Sequence, residues 1–155
     1  MLQVDLRDLR RGPVETSADL QPDDEAFAGL PAVRLTRPLT VRGRLQPTEP
    51  GEYFWRATLR GEGRGECPRC LADVSYRIDT PVNVLFSDNP DAADDPSVYP
   101  LSPEATHVDL RNAIREELAL SVPEYPLCRE NCAGLCPRCG ADLNAGPCGC
   151  SGTAT

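Results

Sequence analysis

Apolar and polar residues alternate through much of the first half of the chain, and period two is the signature of strands. LQVDLRDL (2–9) predicts a strand, with Leu2, Val4, Leu6 and Asp8 on one face. ETSADLQPDDEAFAGLP (15–31) is acidic and rich in breakers, which predicts a loop or a weak helical turn. AVRLTRPLTVRGRLQP (32–47) reads as strand interrupted at Pro38, and YFWRATLRGEGRGE (53–66) as its partner, so a hairpin is expected around Pro47–Gly51. LADVSYRIDTPVNVLFS (71–87) supplies one or two more strands. The acidic, proline-rich stretch 87–106 has little to bury and reads as a mobile loop.

The period then changes. In HVDLRNAIREELALSVP (107–123), Leu110, Ala113, Ile114 and Leu118 recur at helical spacing, with Ser121 continuing the stripe. Asp109 is the expected N-cap and Pro123 the stop, so one main helix is predicted at about 109–121. Together the elements predict an α+β fold. It combines an antiparallel, curved or barrel-like β-sheet with one main helix and a C-terminal cysteine-rich, zinc-ribbon-like tail. The expected division is a β-rich domain at 1–127, a zinc-binding tail at 128–150 packed on it, and a disordered end at 151–155.

Composition sharpens this picture. Sixteen prolines and twelve glycines among 155 residues leave little room for long helices. No segment approaches the roughly 20 apolar residues of a membrane span. The opening MLQVDLRDLRR lacks the apolar core of a signal peptide, so a soluble, cytoplasmic protein is the expectation.

In a reducing compartment, close cysteine pairs bind metal or do redox work more often than they form disulfides. The eight cysteines fall into four such pairs: Cys67/Cys70, Cys128/Cys132, Cys136/Cys139 and Cys148/Cys150. CPRCG (136–140) has the form of a zinc knuckle, and Cys148 and Cys150 follow eight residues later across a Gly- and Pro-containing return. Cys136, Cys139, Cys148 and Cys150 can therefore close one tetrahedral site. Cys67, Cys70, Cys128 and Cys132 then form a second, joining distant parts of the chain. A competing scheme places Cys128, Cys132, Cys136 and Cys139 together and leaves Cys148 and Cys150 spare. The two-site scheme leaves no pair orphaned and predicts two zinc ions; an iron–sulfur cluster or free thiols are the alternatives. CPRC at 67–70 also matches the CPxC of thioredoxin-like proteins. Those set it at a helix N-terminus, which lowers the first thiol's pKa, whereas alternating LADVSYRID follows here.

Nothing else in the sequence assembles a catalytic centre. His107 is the single histidine, placed at the helix entrance, where a surface or capping role explains it. No phosphate-cradling glycine loop precedes a helix. The net charge of −8 opposes nonspecific nucleic-acid binding, and most of it lies in 67–127, where four arginines meet eleven acids. The arginines of the first half are better organised. Arg42 and Arg44 share one strand face, and Arg56, Arg60 and Arg64 share another opposite Trp55, Ala57 and Leu59. Such a face suits phosphate recognition. Glu62 and Glu66 interrupt it and no aromatics alternate with it, so an ordinary solvated face is the favoured reading.

C-x-R-C-L (67–71), VDLRNAIREELALSVPEYPLC (108–128), NCAGLCPRCGADLN (131–144) and the final C-x-C resemble, in this order, the YceD family of large ribosomal RNA subunit accumulation proteins. The resemblance runs over most of residues 30–150. It implies a non-catalytic role in accumulation or processing of 23S ribosomal RNA and in assembly of the large ribosomal subunit. Pre-ribosomal RNA, a basic large-subunit protein, or both are the implied partners. Asp91, Asp94 and Asp95, in the acidic stretch least covered by the resemblance, are candidate contacts for a basic protein. Two rival readings are a thiol–disulfide oxidoreductase using Cys67 and Cys70, and a zinc-ribbon module acting in transcription.

Overall fold

In a computed structural model that describes residues 2–150, the elements run β1 (Gln3–Asp5), α1 (Leu6–Leu9), β2 (Val14–Leu20), β3 (Leu39–Pro47), β4 (Glu52–Glu66), β5 (Asp73–Ser87), β6 (Val98–Pro100), β7 (His107–Asp109) and α2 (Arg111–Ser121). Short 3-10 turns occur at Glu25–Phe27, Pro90–Ala92 and Leu143–Ala145. The main sheet has five strands in the order β2-β3-β4-β5-β6, antiparallel except for the parallel β5–β6 pair. A second, two-stranded sheet pairs β1 with β7.

The β3–β4 hairpin expected around Pro47–Gly51 forms, with Gly51 at φ +78° where only glycine sits without strain. The longest pairing joins β4 to β5 over their full lengths, from Glu52↔Ser87 to Glu66↔Asp73. At the tip of this hairpin lie Cys67 and Cys70.

Alternation along the strands sets the core. Leu39, Val41 and Leu45 on β3, Trp55, Ala57 and Leu59 on β4, and Val82, Val84 and Phe86 on β5 all point inward. Leu110, Ala113, Ile114 and Leu118 of the α2 segment join the same cluster, as do Leu2, Val4 and Leu9. The N-cap position of α2 is Leu110, which makes no side-chain cap bond; Asp109, expected there, ends β7 one residue earlier, and its Oδ1 accepts the Arg111 N–H at 2.9 Å. The helix itself begins two residues later than expected.

Several expectations need correction. The sheet is open: β2 and β6 are its edges and no pairing joins them among the described residues, so it is not a closed barrel. Residues 2–9 are strand only as far as Asp5, whose carboxylate caps α1 by accepting the Arg7 N–H. The stretch 15–31 contains a full edge strand. In β2, Thr16 and Leu20 are buried and Ala18 half-buried, while Glu15, Ser17 and Asp19 face outward. Its central inward residues, Thr16 and Ala18, are polar or small, which hides the alternation. The mobile loop expected at 87–106 includes β6, where the Tyr99 ring lies 5.3 Å from that of Phe86 and its hydroxyl donates to Glu116 at 2.6 Å. The disordered end expected at 151–155 lies outside the described residues. Among the described residues no helix is long and apolar enough to cross a membrane.

Thr16 explains a polar residue in this core. Its Oγ1 accepts the Trp55 Nε1–H at 2.9 Å, and both groups are buried. Thr16→Val keeps the shape but strands the indole N–H. The expected cost is about 1–3 kcal/mol, read as a lower midpoint in urea unfolding followed by Trp55 fluorescence.

Candidate metal centres

The two CPRC tetrapeptides fold into the same loop. At the β4–β5 tip, Cys67 N–H donates to Ala72 O and Leu71 N–H to Cys67 O, both at 2.8 Å. In the tail, Cys136 N–H donates to Ala141 O and Gly140 N–H to Cys136 O, again at 2.8 Å. In each loop the backbone N–H groups two and three residues on point at the first sulfur: Arg69 and Cys70 toward Cys67, Arg138 and Cys139 toward Cys136. The residue after the second cysteine takes a left-handed conformation, Gly140 at φ +73° and Leu71 at φ +64°. Gly140 meets this demand without strain; Leu71 meets it with a side chain that remains 56% exposed.

These loops gather the eight cysteines into two groups of four. The Sγ atoms of Cys67, Cys70, Cys128 and Cys132 all lie within 4.8 Å of one another, and so do those of Cys136, Cys139, Cys148 and Cys150. Cys67 and Cys132 sulfurs are 3.8 Å apart, and Cys70 and Cys128 sulfurs 3.5 Å, across 65 and 58 residues of sequence. A tetrahedron with metal–sulfur bonds of about 2.3 Å has edges of about 3.8 Å. A disulfide would need about 2.05 Å. The spacing therefore suits four ligands around one ion and not a sulfur–sulfur bond. The alternative grouping of Cys128, Cys132, Cys136 and Cys139 is not the one the fold adopts.

The electrostatics divide each group. The N–H of Cys128, with burial opposing and the N–H groups of Cys70 and Arg69 assisting, lowers the Cys67 thiol to about 6. Cys132 is lowered chiefly by the Asn144 side-chain amide. Cys70 moves the other way: the Ala72 N–H favours its thiolate, but burial and the neighbouring thiols push it up to about 12. Burial, then Cys132, raises Cys128. In the tail, the Cys139 and Arg138 N–H groups lower Cys136 to about 6. Contact with Cys139 first, then burial and Cys136, raises Cys150 to about 12. Cys148 rises because Cys136 and burial outweigh the Cys150 N–H. Four sulfurs this close cannot all ionise alone; a divalent cation removes that mutual repulsion. An all-sulfur donor set fits zinc and iron–sulfur chemistry.

The remaining candidates are placed as follows. Arg42, Arg44 and Arg60 lie on the outer sheet face, each paired with a carboxylate on a neighbouring strand: Asp19 at 3.2 Å, Glu15 at 3.7 Å and Asp79 at 3.5 Å. Arg56 lies over the Phe54 ring at 5.9 Å. Arg56 and Arg64 have no carboxylate partner among the described residues. Asp91, Asp94 and Asp95 are exposed, and Asp95 is held by Ser97, whose hydroxyl donates to it at 2.6 Å and lowers its pKa. His107 bonds Thr106 at 2.8 Å. Sequence reasoning missed Glu15 and Asp19, because β2 was not recognised. It also missed Asn144, whose role depends on a fold-back that no local pattern announces.

Comparison with known proteins adds the family. No solved structure matches the chain. Uncharacterized proteins of Mycobacterium bovis and Mycobacterium tuberculosis are each 38% identical over 88 residues, covering 54% of this chain. One from Mycobacterium leprae is 32% identical over 95 residues, or 53% of this chain. The matched regions span only 41%, 41% and 39% of those relatives' own lengths. A family model described as "Large ribosomal RNA subunit accumulation protein YceD" matches residues 55–155. That span carries β4 from Trp55 onward, β5, α2 and all eight cysteines, and the chain belongs to the YceD family.

Proposed function

We propose that this chain is a non-catalytic, cytoplasmic factor for accumulation and processing of 23S ribosomal RNA, and so for assembly of the large ribosomal subunit. The observation that carries the reading is the family match over the span containing both cysteine groups. Cys67, Cys70, Cys128 and Cys132 would hold one zinc ion and Cys136, Cys139, Cys148 and Cys150 a second. Zinc would supply the positive charge that allows all four thiols of a group to ionise, together with the bonds that hold them in place. The chain's own contribution is the set of N–H donors at Cys67, Cys70, Cys132, Cys136 and Cys148. Burial of Cys67 favours this reading over thiol–disulfide exchange, since an attacking thiol must be reached by its substrate.

For the partner, the outer sheet face supports less RNA contact than its arginine count suggests, because Arg42, Arg44 and Arg60 are already paired. Arg56 and Arg64 are the better candidates to touch precursor RNA. A net charge of −8 and the exposed Asp91, Asp94 and Asp95 favour a basic large-subunit protein as the main contact.

Depleting the chain is expected to lower the ratio of 23S to 16S ribosomal RNA, and an unchanged ratio would refute the proposal. Asp91→Lys, Asp94→Lys and Asp95→Lys together are expected to reduce low-salt co-purification with large-subunit proteins several-fold. Retained binding would remove the acidic contact. Arg56→Glu with Arg64→Glu is expected to shift the chain away from pre-ribosomal fractions on a gradient more than Arg42→Gln with Arg44→Gln does.

Protein purified without added metal is expected to carry two zinc ions and no visible absorption; a visible band would replace zinc by an iron–sulfur cluster. A cysteine ligates only as the thiolate, so protons compete with the metal: zinc should be retained at about pH 8 and released progressively on acidification toward about pH 5, read with a chromophoric chelator.

A further inference from the structure

The spacer between Cys139 and Cys148 does more than close the tail group. It folds back over the other group, and Asn144 makes the contact. Asn144 Nδ2 donates to Cys132 Sγ at 3.3 Å, its second hydrogen goes to Asp142 Oδ1 at 3.0 Å, and its Oδ1 accepts the Ala133 N–H at 2.8 Å. The three partners fix which end of the amide faces where: a flipped amide would set its oxygen against a thiolate and a carboxylate, and its NH₂ against an N–H. The backbone reinforces the contact. Leu143 N–H donates to Gly134 O at 2.9 Å, and Leu135 forms an isolated bridge with Asp142. Leu135 N–H donates to Arg69 O at 3.2 Å, and Arg69 Nη1 donates to Cys132 O at 3.1 Å.

We infer that Asn144 is a positioning residue that couples metal binding at the two cysteine groups. Resting on the zinc reading above, the coupling runs as follows. Residues 140–147 join Cys139 to Cys148, so holding Cys136, Cys139, Cys148 and Cys150 together restrains the loop that presents the Asn144 amide to the Cys132 sulfur. Filling the tail site therefore stabilises the ionised form of a ligand in the other. By linkage, filling the Cys67/Cys70/Cys128/Cys132 site favours the tail loop by the same factor. Hydrogen bonds to a ligating atom commonly change metal affinity 10–100-fold when removed. That sets the size of the effect.

The test is cadmium titration of the full-length, reduced, metal-free chain, with competition against a chelator for affinity and ¹¹³Cd resonances to separate the sites. Four forms are compared: the unsubstituted chain, Asn144→Ala, Cys148→Ser with Cys150→Ser, and the three substitutions combined. Trp55 emission reports that the sheet core is intact in each. Loss of the tail thiols is expected to weaken cadmium at Cys67/Cys70/Cys128/Cys132 by about 10–100-fold. Asn144→Ala alone is expected to weaken it as much, to move that site's ¹¹³Cd resonance and to leave the tail resonance in place. In the combined form the losses should not add, because both act through one contact. Asn144→Asp, which sets a carboxylate against the thiolate, should bind more weakly still. Unchanged affinity in either single form, or additive losses, would overturn the coupling while leaving two zinc sites standing. Fewer than two bound ions in the unsubstituted chain would overturn the zinc reading and the coupling with it.

Discussion

The structure depends on the convergence of Cys67 and Cys70, at the tip of the β4–β5 hairpin, with Cys128 and Cys132, just beyond α2. These pairs stand 58 and 65 residues apart in sequence and bring their sulfurs to 3.5 and 3.8 Å. Everything between them, from β5 through the acidic stretch to the helix, is enclosed by that closure. Cross-linking a loop of this length removes more freedom from the unfolded chain than a short-range knuckle does. The tail group then needs only local chain, since its ligands span Cys136 to Cys150.

The outer sheet face obeys a different rule. Arginines on β3 and β4 meet acids on β2 and β5 at the neighbouring positions that antiparallel pairing brings together. Each pair is exposed and contributes little to stability. What the pairs do is cancel charge across a surface that would otherwise be strongly basic. The excess acid is left elsewhere, on the β5–α2 connection.

Which parts were legible in the sequence follows from where each signal resides. The cysteine pairs were readable because metal-ligand spacing is short-range, and their sorting into two groups because Cys136, Cys139, Cys148 and Cys150 can close a site with local chain alone, which leaves Cys128 and Cys132 to reach back to Cys67 and Cys70. Leu110, Ala113, Ile114 and Leu118 were readable because helical period needs no partner to be seen. β2 was not, because its inward residues Thr16 and Ala18 carry little apolar signal. Thr16 makes sense only once Trp55 is above it. The barrel expectation failed for a related reason: whether edge strands meet depends on twist and strand count, and a local pattern records neither. Asn144 reads as an ordinary turn residue until the tail folds back on Cys132.

The β4–β5 hairpin carries one more implication. β3 follows β4 only as far as Arg60; beyond it residues 61–66 and 73–78 pair with each other, with Ile78 still in the core and residues 32–37 alongside, through backbone bonds to Arg34 and Thr36, a bridge at Leu35, the Tyr76 hydroxyl on Ala32 O and the Arg37–Glu62 ion pair. Six residues of strand reach roughly 20 Å, and a two-stranded ribbon of that length is marginal alone in water. Mechanically it is a lever, rooted in the core at Leu59 and Ile78, with the Cys67/Cys70 loop at its far end. A load applied at the cysteine end is carried as bending along the ribbon to the strands that hold the core.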